Sequence, residues 1–254
     1  LTPFCNIYSS FMQRAYDNII HDVALPKLHV VFCIDRAGIV GNDGATHHGL
    51  LDLAFLRPIP NMAIGAPMTA NDLRQMMRIA KDHDGPIAIR YPRGKSVNRT
   101  DLPPIVLGQA VCVKPGKEVA VLSIGAIGNT VAEAIQSMNI GKRNLFAHYD
   151  MRWLKPIDEY ILKEVVENFD TIVTVEDGMI NGGLGSAVAE YVGSRSASPV
   201  VGRSASPEDG RQPRVIRLGV NDQFVEHGST KELYQLLKLD KEGICESLLQ
   251  ALEQ

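Results

Sequence analysis

One glycine-rich loop, residues 36–49, carries side chains that could bind an anion and transfer a proton. Its chemical groups are one arginine, one aspartate and two histidines: Arg36, Asp43, His47 and His48. The loop follows the apolar run 30–35, which is typical of a buried strand. In an open parallel sheet, ligands bind in the crevice beyond the carboxyl ends of the strands. We therefore expect chemistry at this loop, where Gly38, Gly41, Gly44 and Gly49 let the backbone take positive φ and lie close to a ligand.

Two further side chains end predicted strands beside this loop. Tyr8 ends the first strand, and Arg93 follows the last strand of the first half. Arg36 and Arg93 together indicate a phosphate or carboxylate ligand, because guanidinium groups bind such anions through paired hydrogen bonds. The alternative, in which each arginine pairs with a surface carboxylate, stays open at this point.

A histidine in the loop is a candidate for proton transfer, because imidazole titrates near neutral pH. Chemistry alone does not distinguish His47 from His48. Asp43 lies four residues before His47 and could orient it. The spacing of these three residues matches no common metal site, so no metal ligand is predicted.

Strands alternate with helices along the whole chain, which predicts an α/β fold with mostly parallel sheets. The predicted strands are 3–8, 28–35, 61–65, 86–91, 107–113, 118–124, 145–150, 171–176 and 214–218. The first predicted helix follows Ser9 and has its apolar stripe over 11–23, and the other predicted helices are 70–82, 129–138, 158–168, 184–192, 229–237 and 240–252. Ser9 is expected to cap the first helix, and Thr69 with Asp72 resembles a capping box. We predict two α/β domains, residues 1–97 and 109–254, joined by a polar linker at 98–108.

The composition excludes several classes of function. The 254 residues carry 26 basic and 29 acidic side chains, a net charge of −3, which provides no basic surface for nucleic acid or membrane. No apolar stretch approaches the roughly 20 residues that a membrane span requires. Cys5 and Cys33 lie in apolar runs and are expected to be reduced core residues, as in a cytoplasmic protein.

Two other segments stand out in the second half. Residues 182–186 join a strand to a helix, and their glycines could expose helix N-terminal amides to an anion. A packing turn or a subunit contact is the alternative. The repeat at 195–207 is rich in serine and proline and is expected to form an exposed loop.

Seven segments of the chain together resemble the 1-deoxy-D-xylulose-5-phosphate synthases, thiamine diphosphate enzymes of the transketolase superfamily. They are YSSFMQRAYD at 8–17, HDVA at 21–24, IDRAGIVG at 34–41, DGATH at 43–47, RYPRG at 90–94, DMRWLKPID at 150–158 and GGLGS at 182–186. The resemblance implies a pyrimidine-binding domain that lacks its N-terminal part, followed by a transketolase C-terminal domain.

The resemblance also implies a reaction and partners. In this family, pyruvate loses carbon dioxide on thiamine diphosphate and is joined to D-glyceraldehyde 3-phosphate, which gives a precursor of isoprenoids, thiamine and pyridoxal phosphate. The cofactor supplies the electron sink, and the protein supplies placement and proton transfer. The superfamily is dimeric, so a homodimer is expected.

Site roles follow from the resemblance, residue by residue. Phe11 matches the aromatic side chain that stacks on the cofactor aminopyrimidine, and Arg14 a position near that ring. Tyr8, Arg36 and Arg93 match the group that binds the acceptor phosphate. His47 matches the proton-transfer histidine and Asp43 the carboxylate near it, whereas His48 falls on a position that the family does not fix.

The sequence also departs from this family. The G-D-G…N motif that holds Mg²⁺ and the diphosphate is absent, and so is the upstream glutamate that activates the aminopyrimidine. The chain alone is therefore expected to bind cofactor poorly and to have no turnover. Two alternatives stay open: the beta subunit of a 2-oxo acid dehydrogenase, and a module that binds or assembles without catalysis.

Overall fold

Two five-stranded sheets form the framework of the protein in the computed structural model, which describes residues 1–99, 101–194 and 212–253. The strands are β1 (Phe4–Tyr8), β2 (Val31–Asp35), β3 (Ala63–Gly65), β4 (Ile87–Arg90), β5 (Val111–Lys114), β6 (Val119–Ser123), β7 (Phe146–Asp150), β8 (Trp153–Lys155), β9 (Thr171–Met179) and β10 (Arg214–Val220). The predicted α/β class with mostly parallel sheets is confirmed. The repeat at 195–207 lies outside the described residues.

The first sheet has the strand order β1-β2-β4-β3-β8. Its first four strands are parallel, so their carboxyl ends meet at one edge, which we call the carboxyl edge. Strand β8 comes from the second half of the chain and pairs antiparallel with β3, a strand that the sequence did not predict. Trp153 of β8 is buried against Gly65, where a Cβ atom would come within 2.7 Å of the indole ring.

The second sheet has the order β10-β9-β6-β7-β5, in which β5 runs antiparallel to β7 and the other neighbours are parallel. One hydrophobic cluster includes side chains from both sheets, among them Ile34, Ile64, Leu122 and Tyr149. The two halves are therefore joined by apolar contacts as well as by β8.

The helices cover both sheets. They are α1 (Ser9–Met12), α2 (Tyr16–Asn18), α3 (Asp52–Leu56), α4 (Ala70–Lys81), α5 (Ile127–Ser137), α6 (Ile140–Arg143), α7 (Glu159–Asn168), α8 (Leu184–Ser194), α9 (Thr230–Leu236) and α10 (Lys241–Glu253). The capping box of Thr69 and Asp72 is confirmed: each side chain accepts a hydrogen bond from the other residue's backbone N–H.

The segment predicted as the first helix, with its apolar stripe over 11–23, is irregular. A 3₁₀ turn (Gln13–Ala15) separates α1 from α2, and a π-helix (Ile19–Ala24) follows α2. The prediction that Ser9 caps this segment is wrong, because Tyr8 occupies the N-cap position. The buried Ser9 hydroxyl has no hydrogen-bond partner among the residues that the structure describes.

The two cysteine predictions for the first sheet have different outcomes. Cys33 is buried in β2, and burial raises the pKa of its thiol, so its placement in the core is confirmed. Cys5 is exposed, so its predicted place in the core is wrong. The physical reason is that β1 forms the edge of the sheet and has only β2 beside it.

Candidate active site

The carboxyl edge of the first sheet brings Tyr8 and Arg36 together. Tyr8 at the end of β1 is in register with Asp35 at the end of β2, and Arg36 follows directly. The Arg36 guanidinium lies 3.7 Å from the centroid of the Tyr8 ring and is ion-paired with Asp35. Arg36 has φ of +56°, a conformation that is rare outside glycine and that costs energy. The strand end thus holds this arginine in one direction, over the aromatic ring.

An aromatic cluster continues from Tyr8 into the glycine-rich loop. The Tyr8 and Phe11 rings are stacked with centroids 5.1 Å apart, and Phe11 meets the His47 imidazole edge-on at 5.4 Å. Phe11 keeps 44% of its surface exposed. Tyr8, Phe11, Arg36 and His47, predicted from separate parts of the sequence, therefore form one continuous surface.

Arg93 reaches the same loop from the end of β4. Its guanidinium lies 3.6 Å from the Asp43 carboxylate, and both side chains are largely exposed, at 59% and 44%. The backbone N–H of Ala37 also donates to the carbonyl of Tyr91, which ties the two strand ends together. Asp43 is thus paired with Arg93, and its predicted role of orienting His47 stays a prediction.

The two loop histidines have different surroundings. His48 is buried, accepts a hydrogen bond from the backbone N–H of Val40 and bridges to the carbonyl of Glu226. Its ring nitrogens are thus occupied by structural contacts. His47 is half-buried, and its Nδ1 contacts the Thr46 hydroxyl at 2.9 Å. Of the two, His47 is the histidine with a ring nitrogen left for a ligand.

Arg14, the remaining predicted residue, is exposed in the 3₁₀ turn one helical turn after Phe11. The ring and ion-pair contacts that join Tyr8, Phe11, Arg36 and His47 do not include it. Its predicted place near a cofactor ring stays a prediction.

The loop glycines behave as expected with one exception. Gly38, Gly41 and Gly44 have φ values of +79°, +92° and +72°. Gly49 does not have positive φ, so the prediction is wrong for this residue; a Cβ atom there would instead overlap the Arg36 carbonyl and the Ser9 side chain. Its backbone closes the loop, since Gly38 and Gly49 exchange two hydrogen bonds of 2.8 Å. We call this pair of glycines the loop neck.

The glycine turn at 182–186 packs against an internal carboxylate. The buried side chain of Glu176 accepts hydrogen bonds from the backbone N–H groups of Leu184 and Gly185, at 2.9 and 2.8 Å. Burial raises the pKa of Glu176 to about 7, although these two N–H groups oppose the shift. The first amides of α8 are therefore occupied by the protein itself, which favours the packing turn over an anion site.

A buried charged triad beneath the loop was missed in the sequence. Arg90 is 3% exposed and donates from Nε to Asp52 at 3.0 Å and from Nη1 to Asp177 at 2.7 Å. Burial alone lowers the pKa of Arg90, but the carboxylates of Asp52 and Asp177 outweigh it and raise that pKa. One sequence signal could have predicted this triad: Arg90 ends the apolar strand β4. An arginine buried at such a position is expected to be paired with carboxylates.

The described residues fit one half of a thiamine cofactor. The exposed face of Phe11, backed by Tyr8, offers a flat apolar surface of the kind on which a pyrimidine ring stacks. Among the residues that the structure describes, no group of three or more His, Cys, Asp or Glu side chains could hold a metal ion.

The structure has a candidate site at the carboxyl edge of the first sheet and a second α/β domain after it, and comparisons with known proteins identify that layout. A family model of the transketolase pyrimidine binding domain matches residues 1–97, and one of the transketolase C-terminal domain matches residues 108–244. The chain belongs to the transketolase family.

Its curated relatives are more specific. The 1-deoxy-D-xylulose-5-phosphate synthase of Bacteroides fragilis is 50% identical over 248 residues, 96% of this chain and 36% of that protein. The synthase of Parabacteroides distasonis is 50% identical over 252 residues, 98% of this chain and 38% of that protein. The chain thus corresponds to a C-terminal portion of these synthases and spans little more than a third of their length.

A solved structure has the same two-domain layout. A chain described as a split gene transketolase, inactive beta4 tetramer, superposes with a TM-score of 0.79 at 29% identity, covering 99% of this chain and 76% of that one.

In the described part of our structure, every helix is too short or too polar to cross a membrane.

Proposed function

We propose that this chain supplies the acceptor-binding side of a 1-deoxy-D-xylulose-5-phosphate synthase, which joins pyruvate to D-glyceraldehyde 3-phosphate with loss of carbon dioxide. The observation that carries the proposal is the continuous surface of Arg36, Tyr8, Phe11 and His47 at the carboxyl edge of the first sheet. It joins an anion-binding group, an aromatic platform and a proton-transfer group, the three elements that this reaction needs from the protein.

Arg36 and Arg93 bind the acceptor phosphate in this proposal, and Tyr8 supports Arg36. Arg36 is held by Tyr8 and Asp35 and presents a fixed charge. Among the residues that the structure describes, Arg93 is held by one exposed contact of 3.6 Å to Asp43, and such surface pairs contribute about 0–1 kcal/mol. A phosphate can therefore displace Asp43 from Arg93 at little cost.

His47 moves the proton in this proposal. Its Nδ1 is held by Thr46, so Nε2 can be directed at the substrate oxygen. The Phe11 ring packs against the imidazole and limits its rotation. Asp43 lies in the same loop, four residues before His47, and is proposed to act as the carboxylate beside the imidazole once the phosphate has displaced it from Arg93.

Phe11 stacks on the aminopyrimidine of thiamine diphosphate in this proposal, and Arg14 approaches the same ring. When bound, the cofactor supplies the electron sink for decarboxylation and carbon–carbon bond formation. We assign the diphosphate and Mg²⁺ to residues outside this chain, because its sequence lacks the G-D-G…N motif. This chain alone is accordingly proposed to be inactive, and the active form to be a homodimer of the complete protein.

A second candidate is a separate subunit that completes its site with another polypeptide. The observation in its favour is the solved split gene transketolase chain, which shares both domains with this one. A 2-oxo acid dehydrogenase beta subunit would share that layout, but Arg36 and Arg93 suit a phosphorylated acceptor better than a lipoyl arm.

Product formation distinguishes these proposals. The 254-residue chain and the protein that also contains the diphosphate-binding domain, on one polypeptide or two, are each incubated with thiamine diphosphate, Mg²⁺ and pyruvate. D-Glyceraldehyde 3-phosphate or lipoamide serves as the acceptor. We expect 1-deoxy-D-xylulose 5-phosphate only from the protein with both parts and only with the phosphorylated aldehyde. Product from the isolated chain would refute its proposed inactivity, and transfer to lipoamide would refute the proposed reaction.

A further inference from the structure

The glycine-rich loop stands on a buried ion pair that crosses between the two sheets. Arg90 ends β4 of the first sheet, and Asp177 lies in β9 of the second. Their side chains meet at 2.7 Å, both only 3% exposed. No substrate group can reach a pair buried to this degree, so any part that it has in function must be exerted through neighbouring residues.

Both members of the pair contact the loop neck. Arg90 donates from Nη2 to the carbonyl of Gly49 at 3.4 Å. The other oxygen of the Asp177 carboxylate lies directly against Gly38, where a Cβ atom would overlap it. The neck is thus fixed from one side by the guanidinium and from the other by the carboxylate, while Gly38 and Gly49 hydrogen-bond to each other.

The second domain holds the rest of the loop in the same way. His48 bridges to the carbonyl of Glu226, Gly41 lies against Gly228 and Thr230, and Gly44 lies against His227. Met179, two residues after Asp177, donates its backbone N–H to the carbonyl of Leu50 at 2.9 Å. The loop belongs to the first domain in sequence, but its position depends on β9 and on residues 226–230.

We propose that Arg90 and Asp177 are positioning residues: through the loop neck they fix where Arg36 and His47 stand at the carboxyl edge. The expected effect on kinetics rests on the proposed function, whereas the positioning of the loop does not depend on it. Arg36 lies two residues before Gly38 and His47 two residues before Gly49, so movement of the neck is passed directly to both side chains.

The test is amide hydrogen exchange of the 254-residue chain in the Asp177→Asn variant. Asparagine keeps the shape of the side chain and removes the charge that strengthens the bond to Arg90. We expect exchange at the Gly38 and Gly49 amides to accelerate by about tenfold to a hundredfold, the factor that loss of one charge-assisted hydrogen bond allows. Strands β6 and β7 should keep their protection.

Glu176→Gln is the matched control. Glu176 is the preceding residue of β9 and is equally buried, but its carboxylate caps α8 and does not touch the neck. It should lower the thermal midpoint without a selective increase at Gly38 and Gly49. Arg90→Lys should give an intermediate increase, because an ammonium keeps the charge but lacks the planar fork that reaches Asp52, Asp177 and Gly49.

Equal exchange at the neck in the Asp177→Asn and Glu176→Gln variants, or no increase in either, would overturn the positioning role. In the complete protein, Asp177→Asn should raise the KM for the phosphorylated aldehyde more than the KM for pyruvate. Accelerated exchange at the neck with equal changes in both KM values would keep the positioning role and count against the proposed acceptor site instead.

Discussion

Replacing Arg93 with alanine tests the acceptor site with little risk to the fold. The side chain is 59% exposed, and its described ion pair is the 3.6 Å contact with Asp43. An exposed pair of this kind contributes about 0–1 kcal/mol to stability. The thermal midpoint of the Arg93→Ala variant should therefore stay close to that of the unmodified protein, and any kinetic effect should reflect binding.

The expected kinetic effect follows from the bond that is lost. A hydrogen bond to a charged partner contributes about 1.5–3 kcal/mol, which corresponds to about a tenfold to hundredfold change in affinity. The KM for D-glyceraldehyde 3-phosphate should rise by that factor in the complete protein. The KM for pyruvate, which has no phosphate, should change less than about twofold, within the range of ordinary surface substitutions.

Steady-state kinetics with two acceptors makes this prediction specific to the phosphate. With unphosphorylated D-glyceraldehyde, Arg93→Ala and the unmodified protein should have similar KM values, because this acceptor lacks the phosphate that Arg93 is proposed to bind. Arg78→Ala, which removes an exposed arginine from α4, should leave both acceptors unaffected. Equal losses with the two acceptors would refute the assignment of Arg93 to the phosphate.

Three further predictions concern stability. Gly183→Ala, just before α8, should destabilise the protein by about 1–3 kcal/mol or more in urea unfolding, because its Cβ would overlap the Glu176 carboxylate. Gly193→Ala, inside α8, places its Cβ more than 4 Å from the other described residues and should stabilise the protein by up to about 1 kcal/mol. Equal effects of the two substitutions would contradict this explanation. Thr69→Ala should cost about 0.5–2 kcal/mol in the same assay, since it removes the cap of α4, and an unchanged midpoint would show that the cap contributes nothing. Burial raises the pKa of Asp150 from 3.8 to about 7. Between these two pH values the Asp150 carboxyl is protonated in the folded state but ionised in the unfolded chain. The free energy of unfolding should therefore fall as pH rises through this window. Urea unfolding measured from pH 4 to 8 tests this prediction. The Asp150→Asn variant should lack the decrease in unfolding free energy, and a parallel decrease in both proteins would exclude Asp150 as its source.

The regular elements follow from the local sequence. Helix α4, for example, begins at its capping box and ends within one residue of its predicted end. Strand β8 could not be predicted, because three residues carry no periodicity and the pairing with β3 is a contact between distant segments. The exposure of Cys5 was missed for a related reason: an apolar strand sequence does not say whether a second strand covers its outer edge.

The candidate site was predictable where it depends on the ends of parallel strands. Tyr8 and Arg36 meet because β1 and β2 are neighbours in register, and their strand positions imply this. The link of Phe11 to His47 and the pairing of Asp43 with Arg93 depend on the path of the glycine-rich loop. That path is set by Asp177 and residues 226–230 of the second domain, which no local pattern connects to the loop.

The most direct measurement is a crystal structure of the complete protein with bound D-glyceraldehyde 3-phosphate. We expect its phosphate oxygens to lie within hydrogen-bond distance, about 2.7–3.2 Å, of the Arg36 and Arg93 guanidinium groups, with the aldehyde directed toward His47. A phosphate bound elsewhere, with Arg93 still paired to Asp43, would contradict the account.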